Sequence, residues 1–322
     1  MAMGDDMEKA LAPLFSAPVE REHNPAFAYL ASLGKGSRRT MFEALAVIVY
    51  TVSKGQTRDV SALNWSALRR VHVDLIRSEL QERYSPATAN KTLSALRGAL
   101  KEAFLMGQLP PEEYLRLKEI NPVRGTSAPA GRALSSDELE KLFDACRRDK
   151  TLAGMRDGAI LAVLRVGGLR RSELSALDIQ DYDPAAGSLT IRKGKGNKPR
   201  VVYIANGATH WLADWLALRG DEPGALFWSM TPHGEVVEGH RLTAQGVFYA
   251  IQRRADQAGI PPISPHDLRR TFVSDLLSNG VDIVTVQKLA GHANVTTTAK
   301  YDRRGDAVQL EAVKTLRVPR PF

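Results

Sequence analysis

Between Asn121 and Gly131 the chain loses the apolar periodicity that runs through the rest of it, and that gap decides how many cores it can build. The stretch reads Asn-Pro-Val-Arg-Gly-Thr-Ser-Ala-Pro-Ala-Gly, with two prolines, two glycines and no stripe that a helix or strand could bury. Helical patterns stand on both sides of it. A chain of 322 residues also exceeds what one hydrophobic core usually organises, so the gap reads as a linker between two domains. The expected layout is an N-terminal extension over residues 1–23, a helical domain over 24–120, a linker over 121–131, and a second domain over 132–322 ending in a tail.

The formal charge of +8 and isoelectric point near 9.6 favour a polyanionic partner such as nucleic acid, although many basic proteins bind none. The basic residues lie in both halves, which suits a clamp with two basic faces better than a tethered arm. Cys146 is the single cysteine, so an intramolecular disulfide and a cysteine-rich zinc site are both excluded, and its apolar neighbours mark it as core. No uninterrupted apolar run reaches membrane-spanning length, and the acidic start Met1-Ala2-Met3-Gly4-Asp5-Asp6 is unlike a signal peptide. A cytoplasmic protein is expected, at the nucleoid if bacterial.

In the first domain, helices are expected over 25–33, 38–52 and 66–83. The clearest opens at Ser85, a capping hydroxyl followed by Pro86, and carries Ala89, Leu93, Leu96 and Leu100 on one stripe up to Gly107. Its other face holds Lys91, Arg97 and Lys101, either solvated or turned toward a polyanion. In the second domain, a serine-capped helix starts at 135 or 136, with others at 209–219, 243–258, 265–279, 283–289 and 296–303. Ser188-Leu189-Thr190-Ile191-Arg192 and Arg200-Val201-Val202-Tyr203-Ile204 read as a hairpin. The fold class is mainly α with a small antiparallel β-sheet.

Four separated segments carry chemistry. In Gly168-Leu169-Arg170-Arg171-Ser172-Glu173-Leu174, Arg170 sits where one helix ends and another begins, and its guanidinium could fork onto a phosphate with Glu173 to orient it. The turn Lys193-Gly194-Lys195-Gly196-Asn197-Lys198 combines glycines that admit a ligand with lysines that reach phosphate, yet it lacks nucleotide-loop spacing. A spacing of three puts His266 and Arg269 of His266-Asp267-Leu268-Arg269-Arg270-Thr271 on one helical face. Last comes Leu289-Ala290-Gly291-His292, followed nine residues later by Tyr301. Each segment alone is weak evidence, since surface Arg, Lys, His and Tyr are common.

Taken together and in this order, Arg170, Lys195, His266, Arg269, His292 and Tyr301 resemble the active-site set of the tyrosine recombinase, or phage-type integrase, family, over most of residues 160–301. The Ser85–Asn90 helix resembles that of the family's core-binding domain. The resemblance implies a helical core-binding domain and an α/β catalytic domain, and a 3′-phosphotyrosyl intermediate on Tyr301 that a 5′ hydroxyl of another strand resolves. Arg170, Arg269 and His292 would stabilise the phosphorane, Lys195 would protonate the leaving 5′ oxygen, and His266 would accept the tyrosine proton or only position the phosphate. Glu173 would support Arg170. Lys91, Arg97, Lys101, Lys193 and Lys198 would contact DNA.

No cofactor and no metal is implied, and the partners are duplex recombination sites and further copies of the chain, a homotetramer on two sites from a monomer in solution. Arg171 beside Arg170 leaves the choice between them to the helix start. The segment before Asn24 is shorter than an arm-binding domain, so the layout resembles simpler Xer-like or transposon-encoded recombinases. Ala307, Leu310, Val313 and Leu316 form a stripe in the tail that could dock on a neighbour or on its own domain. Alternatives are a type IB-like topoisomerase, a catalytically silent DNA-binding regulator, and a metal-dependent nuclease, the last without an acidic cluster to support it.

Overall fold

The computed structural model describes residues 12–15, 20–125, 131–192, 199–231 and 233–302. It divides into two compact units, 1–128 and 129–322. Lys193, Lys195, Lys198 and the tail stripe at Ala307, Leu310, Val313 and Leu316 lie outside the described residues.

The first unit is helical: α1 (Pro25–Ser32), α2 (Lys35–Val52), α3 (Arg70–Arg83), α4 (Pro86–Leu105) and α5 (Pro111–Lys118). Helix α4 starts as its sequence dictates, with Ser85 Oγ accepting from the Thr88 N–H and Pro86 in the first turn. Its stripe Ala89, Leu93, Leu96 and Leu100 is fully buried against α1 and α2. Helix α3 begins at Arg70, not 66. The preceding residues Trp65–Ala67 form a 3₁₀ turn capped by Asn64, which buries the Trp65 ring while its indole N–H donates to the Val60 carbonyl at 3.1 Å. Helix α5 was not anticipated, because eight residues give too short a window for periodicity.

The composition-defined linker is wider than the segment that escapes the first unit. Asn90 grips Val123 through both backbone groups, at 2.8 and 2.9 Å, and Arg77 donates to the carbonyls of Asn121 and Pro122. Val123 is buried in the first unit's core.

The second unit is built round α7 (Leu152–Gly167), a helix buried nearly all the way round. Packed on it are α6 (Ser136–Arg148), α9 (Gly207–Arg219), α10 (Ala244–Ala258) and α11 (Pro265–Ser278). The short α8 (Arg171–Ser175) follows α7 after a sharp turn, and α12 (Ile283–Ala290) and α13 (Val295–Ala299) close the described chain. The expected hairpin is present as β2 (Ser188–Ile191) and β3 (Arg200–Tyr203), in register Leu189 to Val202 and Ile191 to Arg200. A short β1 (Tyr182–Asp183) extends it to an antiparallel order β1-β2-β3. A second antiparallel pair, β4 (Trp228–Met230) with β5 (Val236–Arg241), was not foreseen, since β5 is exposed along most of its length and shows no apolar alternation. Helix α13 stops before 303, so Tyr301 stands in the turn after it.

Candidate active site

Three helix termini in the second unit build the site. Helix α7 terminates at Gly168, whose φ of +57° an L side chain rarely adopts, and an added Cβ would lie 2.3 Å from the Phe272 ring. The turn delivers Arg170 to the start of α8. There the Arg170 N–H and Nη1 donate to Glu173 at 2.9 and 2.6 Å, a capping box that also fixes the guanidinium. Arg171 is the first helical residue and is exposed to solvent, whereas Arg170 is turned toward Glu173.

Helix α11 carries the second pair. Asp267 accepts from the Ser264 N–H and hydroxyl and from the Arg132 N–H, and the Thr271 hydroxyl accepts from the Leu134 N–H. These bonds tie the motif helix to the first residues of the unit. Arg269, 3% exposed, donates to the carbonyls of Gly168 and Ala290. Burial and the nearby Arg170 pull its pKa down to about 10, so it remains a cation at neutral pH. His266 stands at the surface of the same helix. Partial desolvation and the charges of Arg269 and Arg270 depress its pKa below the ordinary value.

Helix α12 ends at Gly291 with φ +63°, and the chain turns to place His292 and then Tyr301 over these arginines. His292 is buried, its Nδ1 lies 2.9 Å from the Thr298 hydroxyl, and its ring stacks with that of Tyr301 at 6.1 Å between centroids. Burial, then Arg269 and Arg170, lower the His292 pKa to about 4. The Tyr301 hydroxyl is 3.2 Å from His266 Nε2, and the Arg270 guanidinium lies over the Tyr301 ring at 5.3 Å. Arg170, His266 and Arg269 line a cleft of about 330 Å³.

Five of the six motif residues thus converge from positions up to 131 residues apart (301 − 170), and the sixth, Lys195, lies outside the described residues. Two participants were missed. Arg270 lies inside the His266–Thr271 motif and stands over the Tyr301 ring. Arg200 follows a lysine-rich turn at the start of a strand, where nothing local marks it, yet its Nη atoms grip both oxygens of Glu173 at 3.1 and 2.8 Å. Burial alone would raise the Glu173 pKa, but the bonds from Arg200 and Arg170 hold it down to about 2.

On α4, Lys91 and Lys101 are exposed, as a DNA-facing role requires. Arg97 is half-buried, and its Nη2 donates to the Ile120 carbonyl at 2.6 Å. Among the described residues no group of three or more His, Cys, Asp or Glu is placed to hold a metal ion, and no helix is long and apolar enough to cross a membrane.

The family model described as "Phage integrase family" matches residues 132–307. The chain is similar to tyrosine recombinase XerC of Azotobacter vinelandii, 36% identical over 253 residues that cover 75% of this chain and 76% of the relative. Tyrosine recombinase XerD of Mycobacterium tuberculosis is 34% identical over 233 residues, covering 67% and 70%. In fold the chain is similar to the Tn1549 transposon integrase in complex with transposon right end DNA, with a TM-score of 0.68 at 15% identity over 90% of this chain and 99% of that one. A family model over more than half the chain, with relatives this similar over most of their length, makes it a member of the phage integrase family, the tyrosine recombinases.

Proposed function

We propose that this recombinase breaks and rejoins duplex DNA at specific sites, with Tyr301 as nucleophile. The observation that carries the reading is the Tyr301 hydroxyl 3.2 Å from His266 Nε2, beside guanidiniums that lack matching negative charge. Arg170, Arg200 and Arg269 surround the single carboxylate of Glu173. An anion is the natural complement of such a site.

The Tyr301 oxygen attacks phosphorus and its proton passes to His266, which the depressed pKa keeps neutral and able to accept. Arg170 and Arg269 stabilise the extra charge of the phosphorane. His292 is neutral as well, and in the tautomer that carries its proton on Nε2 the Nδ1 atom accepts from the Thr298 hydroxyl while Nε2–H faces outward to donate to a phosphate oxygen. The bond from phosphorus to the 5′ oxygen breaks as Lys195 supplies a proton, leaving a 3′-phosphotyrosyl linkage and a 5′ hydroxyl. A 5′ hydroxyl of a second duplex reverses the step. No bond energy is lost, so no nucleotide is consumed.

Exchange between two duplexes requires four cuts, for which we propose a homotetramer on two sites, acting wherever the chromosomal or mobile-element DNA lies. The helical domain over 24–120 and the catalytic domain over 132–322 supply the two DNA-binding parts, with Lys91 and Lys101 on the first and Lys193 and Lys198 on the second. Tyr301→Phe tests the chemistry. It should bind duplexes selected by this chain from a random-sequence pool as tightly as the parent, form no adduct on a denaturing gel, and give the mass of the uncut assembly by analytical ultracentrifugation. An adduct that survives the substitution would remove Tyr301 from the mechanism.

A further inference from the structure

Helix α12 ends on three consecutive carbonyls that each accept from a different arginine. Leu289 accepts from Arg200 Nε at 3.3 Å, Ala290 from Arg269, and Gly291 from Arg170 Nη2 at 3.0 Å. The last carbonyls of a helix have no partner within it and carry the negative end of its dipole, so they form a seat for cations. Two of these arginines belong to the motif set. The third has no assigned role.

Arg200 is held on every side. Its fork grips Glu173, its Nε reaches Leu289, and 11% of its side chain is exposed. Gly291 is shaped around it, for an added Cβ there would lie 3.0 Å from the Arg200 guanidinium at a φ of +63°. The motif glycine before His292 therefore makes room for Arg200 as well as for the turn. Arg200 is also the first residue of β3, two positions after Lys198 and so at the exit of the lysine turn.

Glu173 is buried and ionised, and it divides one negative charge between Arg170 and Arg200. Were Arg200 absent, Arg170 would be its sole ionic partner in the pair network, and a phosphate would have to compete with a buried carboxylate for the Arg170 donors. We infer that Arg200 is a positioning residue. By taking up part of the Glu173 charge it leaves Arg170 available to the phosphate, and it ties the exit of the lysine turn to the helix end that also seats Arg170 and Arg269. The inference rests on the strand-cleavage reading above.

The two roles of charge sharing and plain structural support make opposite predictions in combination with Glu173→Gln. On pool-selected duplexes, Arg200→Met should slow single-turnover adduct formation by roughly 10- to 100-fold, the scale of a sub-ångström to ångström misplacement of a catalytic group, with the Kd for DNA changed less than about 3-fold. Adding Glu173→Gln, which removes the competing charge, should restore part of that rate. A double variant slower than Arg200→Met, or an Arg200→Met protein as fast as the parent, overturns the inference while leaving the recombinase reading intact. Should Arg200→Met fail to fold, Arg200→Lys keeps the charge without the fork, and its loss should likewise be relieved by Glu173→Gln. No adduct from the unmodified chain would overturn the function and this inference with it.

Discussion

The second unit contains two clusters of arginines around one buried acid, and only one of them sits beside a nucleophile. In the first, Asp157 accepts from Arg156 at 2.6 Å, Arg253 at 2.6 Å and Arg254 at 2.9 Å, and Arg254 also pairs with Asp149 at 2.7 Å. In the second, Glu173 accepts from Arg170 and Arg200, while Arg269 has only carbonyl partners among its described hydrogen bonds. Burial works against the charge of Arg254 and Arg269 alike. Yet Asp157 and Asp149 raise the pKa of Arg254 above its ordinary value, whereas Arg170 helps burial push Arg269 down to about 10. The same side chains make a closed joint where two acids serve three of them. Left in excess, they make a site that a phosphate completes.

The comparison breaks first on chemistry. Arg170→Ala and Arg269→Ala should each slow cleavage by roughly 10²- to 10³-fold, the usual effect of deleting one oxyanion donor, on both oxygen- and sulfur-bridged oligonucleotides, since phosphorane charge develops in either. Lys195→Ala should lose roughly 10²- to 10⁴-fold on the oxygen substrate alone, because a thiolate leaves without protonation. Single-turnover rates on matched substrates check both, and a Lys195→Ala defect of equal size on the two would make Lys195 a phosphate contact.

Stability should show the reverse order. Asp157→Ala strands a set of buried guanidiniums and should lower unfolding free energy by about 3–5 kcal/mol in urea, the cost of breaking a buried pair. Arg269→Ala should cost less than Asp157→Ala, because it leaves two carbonyls without a donor but strands no carboxylate, Glu173 keeping Arg170 and Arg200. A large loss from Arg269→Ala and none from Asp157→Ala would dissolve the distinction.

A smaller effect comes from pH. His292 is held at about 4 in the folded chain against an ordinary 6.5, so the unfolded chain binds the extra proton and stability falls as pH drops from 6.5 toward 4. The full effect is at most on the order of 3 kcal/mol. His292→Gln should flatten the stability profile across that window, and an unchanged slope would show that His292 is not held neutral by the fold.

The sequence by itself determined most of the elements and the family. Local rules suffice for the Ser85 cap, the α4 stripe and the β2–β3 hairpin, because each depends on neighbours within a turn or a strand. The motif set was legible because the proposed chemistry demands particular side chains at motif positions, whatever holds them. Only the tertiary structure decided what each polar group faces. Arg97 lay on a basic helical face and looked free for DNA, but the returning chain brings the Ile120 carbonyl to it. Arg170 was separated from Arg171 by where α8 begins, and Arg200 was drawn into the site by a carboxylate 27 residues earlier and a carbonyl 89 residues later. A guanidinium has the same propensity in either setting. Its role depends on the carboxylate or carbonyl across from it, and that partner is chosen by packing at long range.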